Sequence, residues 1–351
     1  MSHDGKLTND EDLEQILNSF PQENVALTFG YGSGVFAQTS SAVSENDLPM
    51  IDLIFASSNS KKWHEENLKR NANHYSLLSR TLGSDFINVV QRWGAGVYFN
   101  PMVTVDAVRK RSVKYGVIDE LLLKKDLKEW DSIYISGRLQ KPCLFLNTKQ
   151  SDEILELQEE HNLKYALSTA LLLLDTDSHQ IESERVDMHH LFETIAGLSY
   201  LGDPRMAAGA EDPFKVRNLV HSPGQYDRFY RLYQSQLFKM QKEGILSINE
   251  GNKSIQVNLL ERSTRLFIHR QLPEKLSYNI KDLVHDISNA SGQVPTKKIK
   301  LSGNVIKGQL SKIIATPAKF QSAKGLVTAG LVKSARYAYA KLKKGALKGI
   351  V

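Results

Sequence analysis

The residues best suited to chemistry lie early in the chain. A strand-like run, Val25-Ala26-Leu27-Thr28-Phe29, leads into Gly30-Tyr31-Gly32-Ser33-Gly34. Glycines at such a bend let backbone amides approach phosphate oxygens, and the Ser33 hydroxyl adds a donor. Nineteen positions after Ser33, Asp52 stands between Ile51 and Leu53 in a second strand-like run, Met50 to Ala56. A carboxylate among apolar neighbours is costly to bury unless it is paired or holds a metal. Here it could hold Mg²⁺ opposite the bend. Gly-Ser-Gly after a strand is by itself often a plain turn, and Asp52 could be the solvent-facing member of an alternating strand. Met50 occupies the place where a paired acid would stand, two positions before Asp52; Glu45, Asp47 or Asp106 could complete a metal shell, and spacing does not choose among them.

A strand, a Gly-Ser bend and an acid-bearing strand are the layout of a nucleotidyltransferase head, and the following segments must position it. Trp63 to Leu82 reads as one helix, with His64, Asn67, Asn71 and His74 on a shared face. That face suits a structural or base-contacting role better than catalysis. Val97–Val105 and Ser112–Ile118 read as strands, and Tyr134–Asn147 as extended chain around a basic turn, Gly137-Arg138-Leu139-Gln140-Lys141-Pro142. From Asp152 the pattern becomes helical over Glu153–Leu174, Met188–Leu201 and Tyr226–Lys242. Two strand-like pieces, Gly244–Asn249 and Ser254–Leu259, follow. The expectation is an α+β chain: a nucleotidyltransferase-type unit over 1–150, a helix-rich, winged-helix-like unit over 151–286, a basic linker over 287–316 and an amphipathic helix over 317–351.

Composition narrows the class. With 41% hydrophobic and 24% charged residues among 351, the chain can bury more than one core and is not wholesale disordered. The apolar stretch around Ala166–Leu174 is too short to span a bilayer. One cysteine, Cys143, rules out an internal disulfide. Acidic residues near the start do not fit a transit peptide, so an import signal is expected to be absent or removed. After Asp286 there are thirteen cations and no acid, leaving a net −7 on the preceding 286 residues. Such a tail seeks an anionic surface. On a helical wheel Val327, Leu331, Ala335, Ala338, Tyr339 and Leu342 share one side, while Lys333, Arg336, Lys341, Lys343, Lys344 and Lys348 take the other. An apolar face rimmed by cations suits lying in a membrane interface, with Leu331, Lys333, Arg336, Tyr339, Lys341 and Leu342 as its contacts. A packed terminal helix or an RNA-binding arm is the plainer alternative; aromatic residues for stacking bases are sparse, and no nucleic acid partner is expected.

A set of words in order along the chain is more specific. These are Phe29-Gly30-Tyr31-Gly32-Ser33-Gly34-Val35-Phe36, Met50-Ile51-Asp52-Leu53-Ile54-Phe55, Trp63-His64, His74-Tyr75-Ser76 and Gly94-Ala95-Gly96-Val97-Tyr98. Lys114-Tyr115-Gly116-Val117-Ile118, Gly137 to Pro142, and Ala196-Gly197-Leu198-Ser199-Tyr200 with Gly202-Asp203 and Arg205-Met206 complete it. Over roughly residues 20–345 this resembles the mitochondrial translocator assembly and maintenance protein family, the matrix-side phosphatidate cytidylyltransferases. The resemblance implies a nucleotidyltransferase domain, a winged-helix-like domain and a C-terminal membrane-binding helix. It implies CTP and phosphatidic acid as substrates, CDP-diacylglycerol for cardiolipin synthesis as product, Mg²⁺ as cofactor, and a peripheral place on the matrix side of the inner membrane. Carried over, Gly32, Ser33 and Gly34 lie against the CTP phosphates and Asp52 binds Mg²⁺, with Asp52 and Ser33 the catalytic pair. Lys114 is expected at the nucleotide and Arg138, Lys141 and Arg205 at the lipid headgroup. Each cation has a plainer reading, as an edge charge, a turn cation or, for Arg205, a partner of Asp203. A transferase acting on RNA and a non-catalytic, membrane-associated assembly factor are the competing functions.

Overall fold

The computed structural model describes residues 10–36, 48–105, 111–148, 151–174, 185–207, 214–288, 294, 301–325 and 328. The five strands of the main sheet are β1 (Val25–Tyr31), β2 (Ile51–Ser57), β3 (Val97–Val105), β4 (Arg111–Asp119) and β5 (Leu144–Asn147). They lie in the order β3-β4-β2-β1-β5; β2 and β4 run parallel and the other pairs antiparallel. The period-two alternation of side chains assigns the two faces. Ile51, Leu53 and Phe55 of β2, with Val113, Tyr115 and Val117 of β4, form one core with Phe20 and Trp63. Ile54, Ala56, Phe29, Phe99 and Ile118 form the opposite core with Leu123, Leu127, Ile135 and Leu139. Asp52 and Lys114 fall on this second face, side by side on the two inner strands β2 and β4.

The helices that cover the first face are α1 (Asp10–Asn18), α2 (Ser60–Arg70) and α3 (Leu77–Gln91). The single helix expected over Trp63–Leu82 is therefore two, separated by a 3₁₀ turn over Ala72–His74, and α3 is itself broken at Gly83, whose φ is 73°. On the second face lie α4 (Glu120–Glu129) and the four-residue α5 (Ser136–Leu139), where the sequence pattern suggested extended chain. Asp126 explains the difference. Its buried carboxylate accepts from the amides of Ser132, Ile133, Ile135 and Ser136 at 2.8–3.2 Å and from the Ser132 hydroxyl at 2.9 Å. It gathers the loop after α4 into a turn that launches α5, and satisfies backbone donors that would otherwise be orphaned.

Beyond the main sheet, α6 (Asp152–Leu157) passes through a π-helical stretch, Gln158–Leu163, into α7 (Lys164–Leu174). Then come β6 (Arg185–Asp187), α8 (Met188–Leu198), α9 (Pro204–Ala207), α10 (Lys215–His221) and α11 (Gln225–Lys242). β7 (Ser247–Asn249), β8 (Ser254–Gln256), α12 (Arg262–Arg270), α13 (Glu274–Asn279) and α14 (Lys281–Ser288) follow. β6, β8 and β7 form a small antiparallel sheet. The largest core lies among these helices: every residue of α7 from Tyr165 to Leu174 is buried, against Phe192, Ile195, Phe229 and Tyr233. A helix apolar on all sides belongs at such a centre.

Residues 301–325 form a further helix, α15, in place of the linker expected to run to 316. Ile306, Leu310, Ile313 and Ile314 recur at helical spacing and enter the large core. Lys307 and Lys312, which contributed to the basic-linker reading, sit between or beside them. Leu331, Lys333, Arg336, Tyr339, Lys341 and Leu342 lie outside the described residues, as do Glu45, Asp47 and Asp106.

Candidate active site

The bend after β1 is a 3₁₀ turn, Gly32–Gly34, and two of its glycines are required by geometry. Gly32 has φ of +77°, a conformation L side chains adopt only with strain. At Gly34 a Cβ would stand 2.1 Å from the Met50 carbonyl oxygen, so the turn can lie against the start of β2 only without a side chain. Ser33, between them, is half-buried. Strand register places Tyr31 opposite Asp52 on one side, and Lys114 beside Asp52 on the other. The Asp52 carboxylate faces the turn: its Oδ2 would be 3.8 Å from a Cβ on Gly32, and its Oδ1 accepts from Lys114 Nζ at 2.9 Å.

Around that carboxylate the chain assembles positive charge on an aromatic floor. Lys114 Nζ lies 5.0 Å from the centre of the Phe99 ring. The Arg138 guanidinium rests over Tyr134 at 4.2 Å, Tyr31 at 5.3 Å and Phe99 at 5.9 Å, and donates to the Tyr134 carbonyl. Planar stacking of this kind fixes a guanidinium where a lysine would wander. Gly116 makes room for Phe99, whose ring would be 2.6 Å from a Cβ there. Next to Arg138, the ammonium of Lys141 is enclosed by the Gly137 carbonyl and the Ser199 hydroxyl, the latter at 2.9 Å. Lys141 and Lys215 flank the Tyr200 ring at 5.4 and 5.1 Å. Arg205 forms a two-pronged pair with Asp203, with contacts of 2.6 to 3.2 Å.

Acid–base behaviour registers the field these groups make. Burial pushes the Tyr31 hydroxyl above its ordinary value, partly opposed by Lys114 and Arg138. At Tyr134 burial also pushes upward, but the combined pull of Arg138, Arg205 and Lys114 carries the group below the usual tyrosine value. Burial, with the neighbouring charges of Arg138 and Lys215, brings Lys141 down to about 7. At Tyr134 the nearby cations outweigh burial; at Lys141 burial is the larger cause and the neighbouring cations add to it.

Of the residues expected from sequence, Gly32, Gly34, Asp52, Lys114, Arg138 and Lys141 thus occupy one continuous surface, and Arg205 reaches it through its field on Tyr134. The polar ladder on α2 does not. His64, Asn67 and His74 are buried, and the Tyr115 hydroxyl accepts from Asn67 at 2.8 Å and from Asn100 at 2.7 Å. His64 bridges Tyr75 and Gln91 at 2.9 and 2.8 Å, and burial lowers its pKa to about 4. This is a buried hydrogen-bonded network on the sheet face away from Asp52. Tyr31, Tyr134, Phe99 and Lys215 were not legible as site residues; the basic turn 137–142 beside aromatic residues was the one available signal.

Asp52 is compatible with Mg²⁺, which takes one or two carboxylates and completes its shell with water and substrate phosphates. Among the described residues no cluster of three acids, histidines or cysteines could form a metal cage without substrate.

The fold and site define an α+β protein in which, among the described residues, the Asp52 carboxylate faces a glycine turn beside Lys114 and Arg138. A sequence model of the family described as "Phosphatidate cytidylyltransferase, mitochondrial" matches residues 13–344. A rat protein of that name is 38% identical over 339 residues, covering 95% of this chain and 94% of the relative. A Schizosaccharomyces pombe relative is 34% identical (96% and 84% covered), and one from Dictyostelium discoideum 32% (95% and 84%). The chain belongs to the mitochondrial phosphatidate cytidylyltransferase family.

Proposed function

We propose that this chain is a phosphatidate cytidylyltransferase that transfers the cytidylyl group of CTP to phosphatidate, giving CDP-diacylglycerol and pyrophosphate, and that its catalytic surface is the Asp52–Lys114–Arg138 face. The observation that carries the placement is the Asp52 carboxylate facing the glycine turn at Gly32, with Lys114 on it at 2.9 Å and Arg138 stacked beside it on Tyr134, Tyr31 and Phe99. One phosphate oxygen of phosphatidate bonds to the α-phosphorus of CTP, and the bond from that phosphorus to the oxygen bridging to the β-phosphate breaks. A phosphate monoester loses its second proton near pH 6, so no strong general base is needed. The chief task is to bring two anions together.

The Gly32–Gly34 turn cradles the nucleotide phosphates with backbone amides and Ser33. Lys114, released from Asp52 when substrate binds, neutralises charge on the triphosphate. Arg138, held flat by its aromatic floor, meets the lipid phosphate together with Lys141 and Arg205. Mg²⁺ held by Asp52 would supply further neutralisation of the reacting phosphates. The unit around the main sheet corresponds to a nucleotidyltransferase domain, and the small three-stranded sheet with its helices to a winged-helix-like domain.

A lipid acceptor also accounts for the acid-free tail better than RNA does, and a solely structural assembly factor would not require the Asp52–turn arrangement. The relatives are named mitochondrial, and we place the enzyme peripherally on the matrix face of the inner membrane. No described helix is long and apolar enough to cross a membrane. The test is to supply CTP labelled in its α-phosphate with phosphatidate vesicles or with an oligonucleotide. Label in the lipid fraction alone supports the reading; label in the oligonucleotide alone overturns it.

A further inference from the structure

α3 buries Ile87 and Val90 and leaves its other side bare. Val89 is 56% exposed, and Trp93, four positions on, 49%; beyond the Gly83 break Leu78 and Leu82 are 48% and 51% exposed. Phe320 of α15, itself 54% exposed, is held next to Trp93's neighbour Gly94: its Cβ would be 2.8 Å from a Cβ there. Lys324 locks the contact by donating to the carbonyls of Gln91 at 3.1 Å and Trp93 at 2.7 Å. Trp93 and Phe320 thus stand half-exposed at one junction between α3 and α15, with Val89 one turn before Trp93, and adjoining exposed apolar side chains mark an interaction surface more than single ones do. Trp is a residue type that settles at a membrane–water interface.

Charge selects the occupant. Arg80, Arg92 and Lys319 are exposed on the same two helices, while Asp85 of α3 is paired with Lys61 at 2.5 Å. The 26 residues after 325 carry six cations and no acid. We infer that the surface formed by Val89, Trp93 and Phe320 seats the body of the protein in the headgroup layer of an anionic bilayer, with Arg80, Arg92 and Lys319 on lipid phosphates. The tail supplies attachment, and this surface fixes the orientation of the body. The inference rests on the lipid-acceptor reading for its purpose, while its physics can be measured separately.

The chain has three tryptophans, and Trp63 and Trp130 are buried, so Trp93 is the exposed reporter. Adding phosphatidylcholine–cardiolipin vesicles to the full chain should blue-shift Trp93 emission, and brominated lipid should quench it. Trp93→Ser with Phe320→Ser should lower vesicle partitioning about tenfold or more, while turnover of a short-chain, monomeric phosphatidate stays unchanged. Vesicle binding without any change at Trp93 would overturn the inference. So would emission that is shielded before vesicles are added and becomes exposed when residues 326–351 are deleted, because the tail would then cover the patch. Shielding that depends on protein concentration without vesicles would overturn it in favour of a second copy. If the double variant does not fold, wild-type emission still decides. A response at Trp93 with no CDP-diacylglycerol formed would sink the acceptor reading and leave the seating surface standing.

Discussion

Replacing Asp52 by asparagine keeps the shape of the side chain and removes its charge. In the resting protein the carboxylate is 2.9 Å from Lys114, and the two side chains are 22% and 17% exposed. At an effective dielectric of about 20 the raw attraction at that distance is about 6 kcal/mol. Most of it is offset by desolvation, so the net loss of stability should be about 1 kcal/mol and the fold should survive. Catalysis should suffer far more. Removing one preorganised charge from a site where phosphate charge is redistributed costs roughly 3–4 kcal/mol, a fall on the order of 10²–10³ in kcat. The assay is release of pyrophosphate and formation of CDP-diacylglycerol over a Mg²⁺ titration, with circular dichroism as the control for folding. A folded Asp52→Asn protein that keeps kcat within about threefold of wild type, with unchanged Mg²⁺ dependence, would refute the reasoning.

Other perturbations separate the site from its supports. Lys141, lowered to about 7 chiefly by burial and then by Arg138 and Lys215, is largely neutral above that pH in the folded protein and protonated in the unfolded chain up to its ordinary value near 10.4. The unfolded state then binds more protons across that window, so this group makes stability rise with pH between about 7 and 10.4. An anionic ligand reverses the shift. Calorimetry in buffers of different ionisation enthalpy should show proton uptake on substrate binding near pH 8, lost in Lys141→Met. Gly34→Ala drives a methyl into the Met50 carbonyl and should cost about 3 kcal/mol in denaturant unfolding, whereas Gly32→Ala should cost only about 1–2 kcal/mol through its positive φ. Asp126→Ala strips acceptors from five donors; it should destabilise by about 3 kcal/mol or more and raise KM by loosening Arg138. Tyr115→Phe should cost about 2 kcal/mol by leaving Asn67 and Asn100 donors unpaired, with kcat and Mg²⁺ dependence unchanged.

What the sequence could convey followed from period and range. The strand, bend and acid of β1 and β2 are local and alternate cleanly, so the α+β class and the Asp52–turn pair were legible. The aromatic floor under Arg138 was not, because Tyr31, Phe99 and Tyr134 are brought together by strand order and by the Asp126 turn, which no local pattern records. The α2 ladder is legible as one polar face suited to a structural or base-contacting role, but not as a buried one, because the tyrosines that satisfy it come from other segments. Residues 301–316 read as a linker by composition, yet the spacing Ile306, Leu310, Ile313, Ile314 carries the helix signal in full. β6, only three residues long, offers too little alternation to detect.

The most direct test of the central claim is a structure of the protein with CTP, Mg²⁺ and a non-reactive phosphatidate analogue. The account requires the metal on Asp52, the triphosphate along Gly32–Gly34 with Lys114 turned onto it, and the lipid phosphate at Arg138. Nucleotide bound elsewhere, with the Asp52–Lys114 pair still closed, would contradict it.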